Sequence, residues 1–162
     1  MSSKKILASA CLLGELVRYN HEILPKCPLI LKEWEQDGRV IAVCPEVIGG
    51  LPVPRAPAEI QGGDGKGVLA GKACVINIQG QDVTQAFLTG ARETMRLAEE
   101  NDIEYAILKA RSPSCGKKAI YDGSFSGRLI EGQGVTAALL EQSGIQVLNE
   151  DDIEKVASIF DG

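Results

Sequence analysis

Residues 105–116, Y-A-I-L-K-A-R-S-P-S-C-G, decide how the fold of this chain is interpreted. The apolar run at residues 105–108 has the length and flanks of a buried β-strand. Pro113 has no backbone N–H and cannot continue a sheet ladder, so the strand is predicted to end at about Ala110 or Arg111. Two hydroxyls and a thiol therefore follow the carboxyl end of a strand, where ligands bind in open α/β sheets.

Two further strands are predicted to end at a cysteine. Cys11 follows an apolar stretch at residues 5–10, and Cys44 follows another at residues 39–43. Each of these cysteines, taken singly, could instead be a buried core residue without a chemical role. Because Cys115 occupies a third equivalent position, a shared site at one edge of the sheet is favoured.

The remaining chain alternates between helix and strand patterns. Helices are predicted at residues 25–36, 82–100, 136–142 and 151–160, and further strands at 74–78 and 145–148. Residues 45–55 contain three prolines and two glycines and are predicted to form a rigid, non-repetitive loop. Residues 59–72 contain five glycines and are predicted to form either a mobile excursion or a hairpin. The alternation predicts a Rossmann-like, three-layer α/β/α fold with a mostly parallel sheet.

Composition limits the classes of protein that fit. A chain of 162 residues is expected to form one domain, residues 1–162. Its formal net charge is −5, whereas a nucleic-acid-binding protein usually carries a basic surface. No apolar run is long enough for a membrane span, and only five residues separate Lys5 from Cys11, too few for a secretory signal. We therefore expect a cytoplasmic protein, whose five cysteines serve metal or thiol chemistry rather than disulfides. Cys27 and Cys74 are predicted to be ordinary core residues.

Three cysteines without an evident fourth ligand are compatible with two kinds of metal site. One is zinc with three protein ligands and a water. The other is a cubane iron–sulfur cluster with one iron left open. Neither is favoured by local spacing, because the chain has no C-x-x-C motif. His21, the sole histidine, is predicted to be an exposed loop residue rather than a ligand.

Several polar residues near these cysteines are candidates for catalysis or binding. Glu46, held behind a proline after Cys44, is a candidate general acid or base. Ser112 and Ser114 either hold a substrate beside Cys115 or form turn hydrogen bonds. The candidate donors to a polar ligand are Arg18, Arg55 and Lys109. Glu46 could instead be the ion-pair partner of one of the two arginines.

Six short segments carry a resemblance to a known family. They are S-A-C-L-L-G at 9–14, V-R-Y at 17–19, C-P-E at 44–46, G-L-P-V-P-R at 50–55, L-K followed by S-P-S-C-G at 108–116, and Y-D-G-S-F at 121–125. Together they resemble a small bacterial family, long described as a domain of unknown function, that includes the 2-thiouracil desulfidases. The resemblance spans about residues 5 to 150. One departure is Asn20-His21, where the family has Asp-Gly.

The resemblance implies a cofactor and roles for the candidate residues. It implies a 4Fe–4S cluster held by Cys11, Cys44 and Cys115, with one open iron that binds the sulfur of a thiocarbonyl. Glu46 and Ser112 correspond to the family's catalytic pair. The residues expected to contact the substrate are Arg18, Tyr19, Arg55 and Ser114. The expected reaction is the non-redox conversion of C=S to C=O in a thiolated pyrimidine such as 2-thiouracil, with release of sulfide.

Two other functions fit parts of the sequence. The main alternative is a non-catalytic iron–sulfur or zinc carrier or sensor. A weaker one is a cysteine-dependent phosphatase using Cys11 and Arg18, but six residues separate that pair instead of the five typical of such loops. Under the desulfidase hypothesis the partner is a small thiolated base, and neither a membrane nor a nucleic acid is expected to bind directly.

Overall fold

The computed structural model describes residues 5–13 and 29–152. Its elements, in chain order, are β1 (Ile6–Ser9), a 3₁₀ turn (Ala10–Leu13), α1 (Leu29–Gln36), β2 (Val40–Val43), α2 (Pro45–Ile48), β3 (Ala58–Gln61), α3 (Gly65–Leu69), β4 (Cys74–Asn77), α4 (Thr84–Glu100), β5 (Tyr105–Leu108), β6 (Ala119–Tyr121), β7 (Leu129–Glu131), α5 (Val135–Gln142), β8 (Gln146–Asn149) and a second 3₁₀ turn (Glu150–Asp152). Within these ranges, no helix is both long and apolar enough to cross a membrane. Most of the helix predicted at 151–160 lies outside them.

A parallel sheet forms the centre of the protein. Among the described residues, its strands run in the order β2–β1–β5–β8, and every neighbouring pair is parallel. The chain places β2 on one side of β1 and later crosses back to place β5 on the other side. The strand order therefore reverses between β1 and β5, and ligands of open α/β sheets bind outside the carboxyl ends of the strands at such a point. The predicted α/β fold with a mostly parallel sheet is confirmed.

Both faces of the sheet are covered by helices. Leu7 of β1 packs in a cluster with residues of α4 and α5, among them Ala98 and Leu140. Its neighbours Ile6 and Ala8 point to the opposite face, where they pack with Trp34 of α1. Strands that are apolar on both sides are typical of parallel sheets buried between helices. The result is the three-layer arrangement that the sequence predicts.

Two antiparallel hairpins flank the sheet. Residues of β3 pair with β4, and residues of β6 pair with β7. The alternative of a hairpin for residues 59–72 is wrong, because this range holds the end of β3 and the helix α3, and the strand that pairs with β3 begins only at Cys74. This helix begins because Asp64 accepts a hydrogen bond from the N–H of Gly67 at 3.3 Å.

The prediction of a non-repetitive loop at residues 45–55 is wrong for its first four residues, which form α2. Proline is tolerated in the first turn of a helix, where its missing N–H costs nothing. The contact of α2 with α4 depends on two glycines. A Cβ on Gly90 would lie 2.0 Å from the carbonyl oxygen of Pro45, and one on Gly49 would lie 2.1 Å from that of Ala86. This close approach fixes the segment that carries Glu46 against the long helix.

Candidate functional site

The three predicted cysteines follow three neighbouring strands. Cys11 lies in the turn after β1, Cys44 directly follows β2, and Cys115 lies in the loop after β5. Adjacent strands are about 4.8 Å apart, so the ends of three neighbours lie within about 10 Å. All three cysteines line one cavity with a volume of about 690 Å³. The cavity therefore lies at the carboxyl edge of the sheet, at the point where the strand order reverses.

The loop that carries Cys115 is held by the first turn of α5. The N–H groups of Val135 and Thr136 donate to the carbonyls of Pro113 and Ser114 at 2.9 and 2.8 Å. These N–H groups have no partner inside their own helix, so the loop satisfies them. Gly134 makes the approach sterically feasible, because a Cβ at this position would lie 2.4 Å from the carbonyl carbon of Ser114.

The sulfur of Cys115 lies in a buried environment. Burial raises the pKa of its thiol well above the usual range, and a hydrogen bond with the hydroxyl of Ser9 opposes that shift only in part. Nearby Cys11 and Cys44 raise the pKa further. The oxygen of Ser9 also accepts a hydrogen bond from the N–H of Lys109 at 2.9 Å, which joins β1 to the end of β5. The three sulfurs are thus electrostatic neighbours.

Glu46 lies beside the cysteines and is paired with Arg55. The Nε of Arg55 donates to Glu46 Oε2 at 2.7 Å, and Nη2 contacts the same oxygen. No described residue donates a hydrogen bond to Oε1. The carboxylate is only 15% exposed and the guanidinium only 8%. Burial also raises the pKa of the Cys44 thiol, with a hydrogen bond from the backbone of Val47 acting against it.

Ser112 organises the backbone of its own loop. Its Oγ accepts hydrogen bonds from the N–H of Ser114 at 3.1 Å and of Cys115 at 3.0 Å. A hydroxyl oxygen has two lone pairs and one proton. Because both lone pairs are used, the group retains its O–H as a donor. Ser112 also lines the cavity.

Two other predicted residues line the cavity, and the polar group of each interacts with another side chain of the protein. The hydroxyl of Ser114 is 2.8 Å from that of Thr136 in α5, and both residues are buried. The Nζ of Lys109 lies 2.9 Å from Glu150 Oε2 at the end of β8. Both interactions fix the loop after β5 to its surroundings.

The cavity wall also includes residues that the sequence does not single out as site residues. Glu59 of β3, Tyr121 of β6, and Phe125 line it. Glu59 gave no signal because acidic residues are mostly exposed. Ser9 was missed as well, although a polar residue at the end of an otherwise apolar strand is a usable signal.

The structure therefore brings most of the predicted residues together. The predicted residues that line the cavity are Cys11, Cys44, Glu46, Arg55, Lys109, Ser112, Ser114 and Cys115. Cys74 is not among them and lies in a separate groove. The predicted residues outside the described ranges are Arg18, Tyr19, His21 and Cys27.

The arrangement of the thiols can be tested against the two kinds of metal site. Sulfurs that bind one zinc ion at about 2.3 Å in a tetrahedron lie about 3.8 Å apart. In the described part of the chain, no group of three or more His, Cys, Asp or Glu side chains is arranged to hold a single ion. In a cubane cluster each cysteine binds a different iron, so the sulfurs lie farther apart. Three thiols that line one cavity without being arranged around a single ion are compatible with a cluster.

The family of the chain follows from comparison with known proteins. A family model described as 2-thiouracil desulfurase matches residues 6–152. The chain belongs to this family. The resemblance inferred from the six short segments is thereby confirmed.

One curated relative and one solved structure match nearly the whole chain. YbbK of Bacillus subtilis strain 168 is 42% identical over 153 residues, which cover 93% of this chain and 99% of YbbK. A solved structure of the 4Fe–4S-dependent thiouracil desulfidase TudS is 41% identical, with a TM-score of 0.86 and coverage of 97% of both chains.

Proposed function

We propose that this protein is a 4Fe–4S-dependent desulfidase that converts the C=S group of a thiolated pyrimidine, such as 2-thiouracil, to C=O without net oxidation or reduction. The observation that carries the proposal is the placement of three thiols and the Glu46 carboxylate around one cavity at the edge of the sheet. The description of the related TudS as a 4Fe–4S-dependent thiouracil desulfidase supports it.

In this proposal Cys11, Cys44 and Cys115 hold the cluster. Bound through three cysteines, a cluster would supply Lewis-acid polarisation of the thiocarbonyl sulfur at its open iron. The buried Ser9 hydroxyl, hydrogen-bonded to Cys115, stabilises the negative charge of the ligating sulfur. The Gly134 contact with the loop after β5 holds that ligand in position.

Glu46 is the proposed general base. Its Oε1, to which no described residue donates a hydrogen bond, removes a proton from a water molecule, and the water oxygen forms a bond to the thiocarbonyl carbon. The C–S bond then breaks and sulfur leaves as hydrogen sulfide or its anion, so water and the thiocarbonyl give a carbonyl and sulfide with no electron acceptor. Arg55 fixes the rotamer of Glu46 and balances its charge through Oε2.

Ser112 is the proposed hydrogen-bond donor to the attacking water or to the substrate. Its two accepted hydrogen bonds leave no lone pair for taking up a proton, which favours a positioning role over a proton relay. Ser114 and Arg55 border the cavity and stay proposed substrate contacts. Arg18 and Tyr19 stay proposed contacts that lie outside the described residues.

The proposed substrate is a small molecule. The cavity volume of about 690 Å³ falls within the usual range of small-molecule sites. The net charge of −5 supports a neutral heterocycle over a nucleic acid as the direct partner. We further propose one catalytic domain and a location in the cytoplasm, where thiols and clusters are kept reduced.

The test is anaerobic reconstitution with iron and sulfide, followed by incubation with 2-thiouracil in isotopically labelled water. We expect a brown protein that forms sulfide and uracil in equal amounts, with the label in the new carbonyl oxygen. Cys74→Ala is the control, because this cysteine is not in the cavity lining, and Cys11→Ala is expected to lose both colour and turnover. A loaded protein that forms no sulfide from any thiolated pyrimidine would contradict the proposal and favour a carrier or sensor.

A further inference from the structure

Glu59 is a buried carboxylate on the wall of the cavity that the three cysteines line. Only 9% of the residue is exposed. Its Oε1 accepts hydrogen bonds from the N–H of Gly123 at 2.9 Å and of Phe125 at 3.2 Å. These bonds connect β3 to the loop between β6 and β7. One oxygen of the carboxylate therefore holds this loop in place.

The second oxygen of Glu59 has no partner in the described part of the protein. All the hydrogen bonds that Glu59 accepts through its side chain there involve Oε1, yet the residue lines the cavity. Oε2 is not one of the enclosed polar atoms without a partner, so a ligand or a water can reach it and donate a hydrogen bond. Oε2 is thus a charged acceptor available to a molecule in the cavity.

We propose that Glu59 determines specificity by accepting a hydrogen bond from a ring N–H next to the thiocarbonyl carbon. This inference rests on the proposed function. In 2-thiouracil both nitrogens adjacent to the C=S group carry a hydrogen, and a carboxylate is an acceptor only. The substrate class is therefore a cyclic thioamide with a free N–H, rather than any thiocarbonyl compound.

The position of Glu59 relative to the reaction centre supports this role. Arg55, which pairs with Glu46, precedes Glu59 by four residues. The Cα atoms of Arg55 and Glu59 are therefore at most about 14 Å apart, the length of four residues of fully extended chain. Both carboxylates border the same cavity. One carboxylate can thus serve the water while the other holds the ring of the same small molecule.

The loop that Glu59 anchors adds an aromatic wall. Phe125 lines the cavity and has a φ of 56°, a left-handed conformation that costs free energy for a residue with a side chain. The hydrogen bond from its N–H to Glu59 helps to hold this conformation. A planar heterocycle bound by Glu59 would then lie close to an aromatic side chain.

The test compares reconstituted wild-type protein with Glu59→Gln, on 2-thiouracil and on its N1-methyl and N3-methyl derivatives. Glutamine retains one carbonyl oxygen for the two loop N–H groups but replaces Oε2 with an N–H₂ donor. We expect Glu59→Gln to raise KM for 2-thiouracil about tenfold or more, with kcat changed only a few-fold. Wild type should show a similar KM increase on at least one methyl derivative, and the variant should not.

Glu131→Gln is the control, because it removes one negative charge from an exposed residue of β7. An unchanged KM in Glu59→Gln would overturn the proposal. An equal loss on all three compounds, together with a lower melting temperature, would also overturn it, since that is the result of a purely structural role.

A binding measurement separates this inference from the proposed function. If wild type forms no sulfide, the proposed function fails, and uracil, which has the same ring N–H groups, is titrated calorimetrically into both proteins. Uracil binding to Glu59→Gln that is at least about tenfold weaker than to wild type supports the role of Glu59. Equal binding to both, or binding to neither, overturns it.

Discussion

Replacing Gly134 with alanine is expected to disrupt the loop that carries Cys115. The added Cβ would lie 2.4 Å from the carbonyl carbon of Ser114, 2.5 Å from its oxygen and 2.8 Å from the backbone nitrogen of Cys115. All three are backbone atoms and cannot rotate away. Either the first turn of α5 or the loop after β5 must therefore move.

The cost follows from the contacts at this junction. Overpacking of this kind costs about 1–3 kcal/mol. Four N–H groups at the start of α5 donate to carbonyls of the loop, and each such bond that is lost costs about 1 kcal/mol. We expect the free energy of unfolding to fall by about 3–5 kcal/mol, which lowers Tm by roughly 6–20 °C for a chain of this size.

The assay measures Tm of the apoprotein and iron content after anaerobic reconstitution, and both are expected to fall. Gly67→Ala is the matched control, because its Cβ would meet only Ala73, with the methyl carbon at 3.2 Å. Alanine also suits the helical position of Gly67. If Gly134→Ala keeps the Tm and iron content of wild type, the packing argument for the Cys115 loop is refuted.

Three further substitutions test the site. Cys44→Ala is expected to lose most of the iron that reconstituted wild type binds, whereas Cys74→Ala keeps it; full iron content in Cys44→Ala contradicts the ligand assignment. Glu46→Gln retains the side-chain volume and is expected to lower kcat by about 10²–10⁴-fold at unchanged iron content, and near-normal turnover by a loaded variant would remove Glu46 from the mechanism. Ser112→Ala leaves two N–H groups without an acceptor, so the free energy of unfolding should fall by about 1–3 kcal/mol together with turnover; a denaturant melt that matches wild type would contradict this role.

The strands of the central sheet could be predicted because their signal is local. The apolar runs at residues 5–10, 39–43 and 105–108 contain β1, β2 and β5. Parallel strands buried on both faces are continuous apolar segments, so each is visible in a short window of sequence. The placement of three cysteines at one edge followed from that pattern together with the topology of open α/β sheets.

The rest of the site could not be predicted because it depends on contacts between distant residues. Glu59 is buried only because its partners Gly123 and Phe125, 64 and 66 residues later, fold over it. The pairing of Arg55 with Glu46 was one of two options that the sequence left open. The sequence does not predict α2, because Pro45 is also typical of a loop. The packing of Pro45 against Gly90 of α4 stabilises this single helical turn.

The distribution of the three cavity cysteines over β1, β2 and β5 has a consequence for how the protein matures. A C-x-x-C loop can bind metal as soon as one short segment exists. Here the candidate ligands come together only when three strands, far apart along the chain, have paired in register. If these three cysteines hold the proposed cluster, its insertion has to follow synthesis and folding of β5, and the bound cluster would act as a cross-link whose loss reports unfolding of the sheet itself.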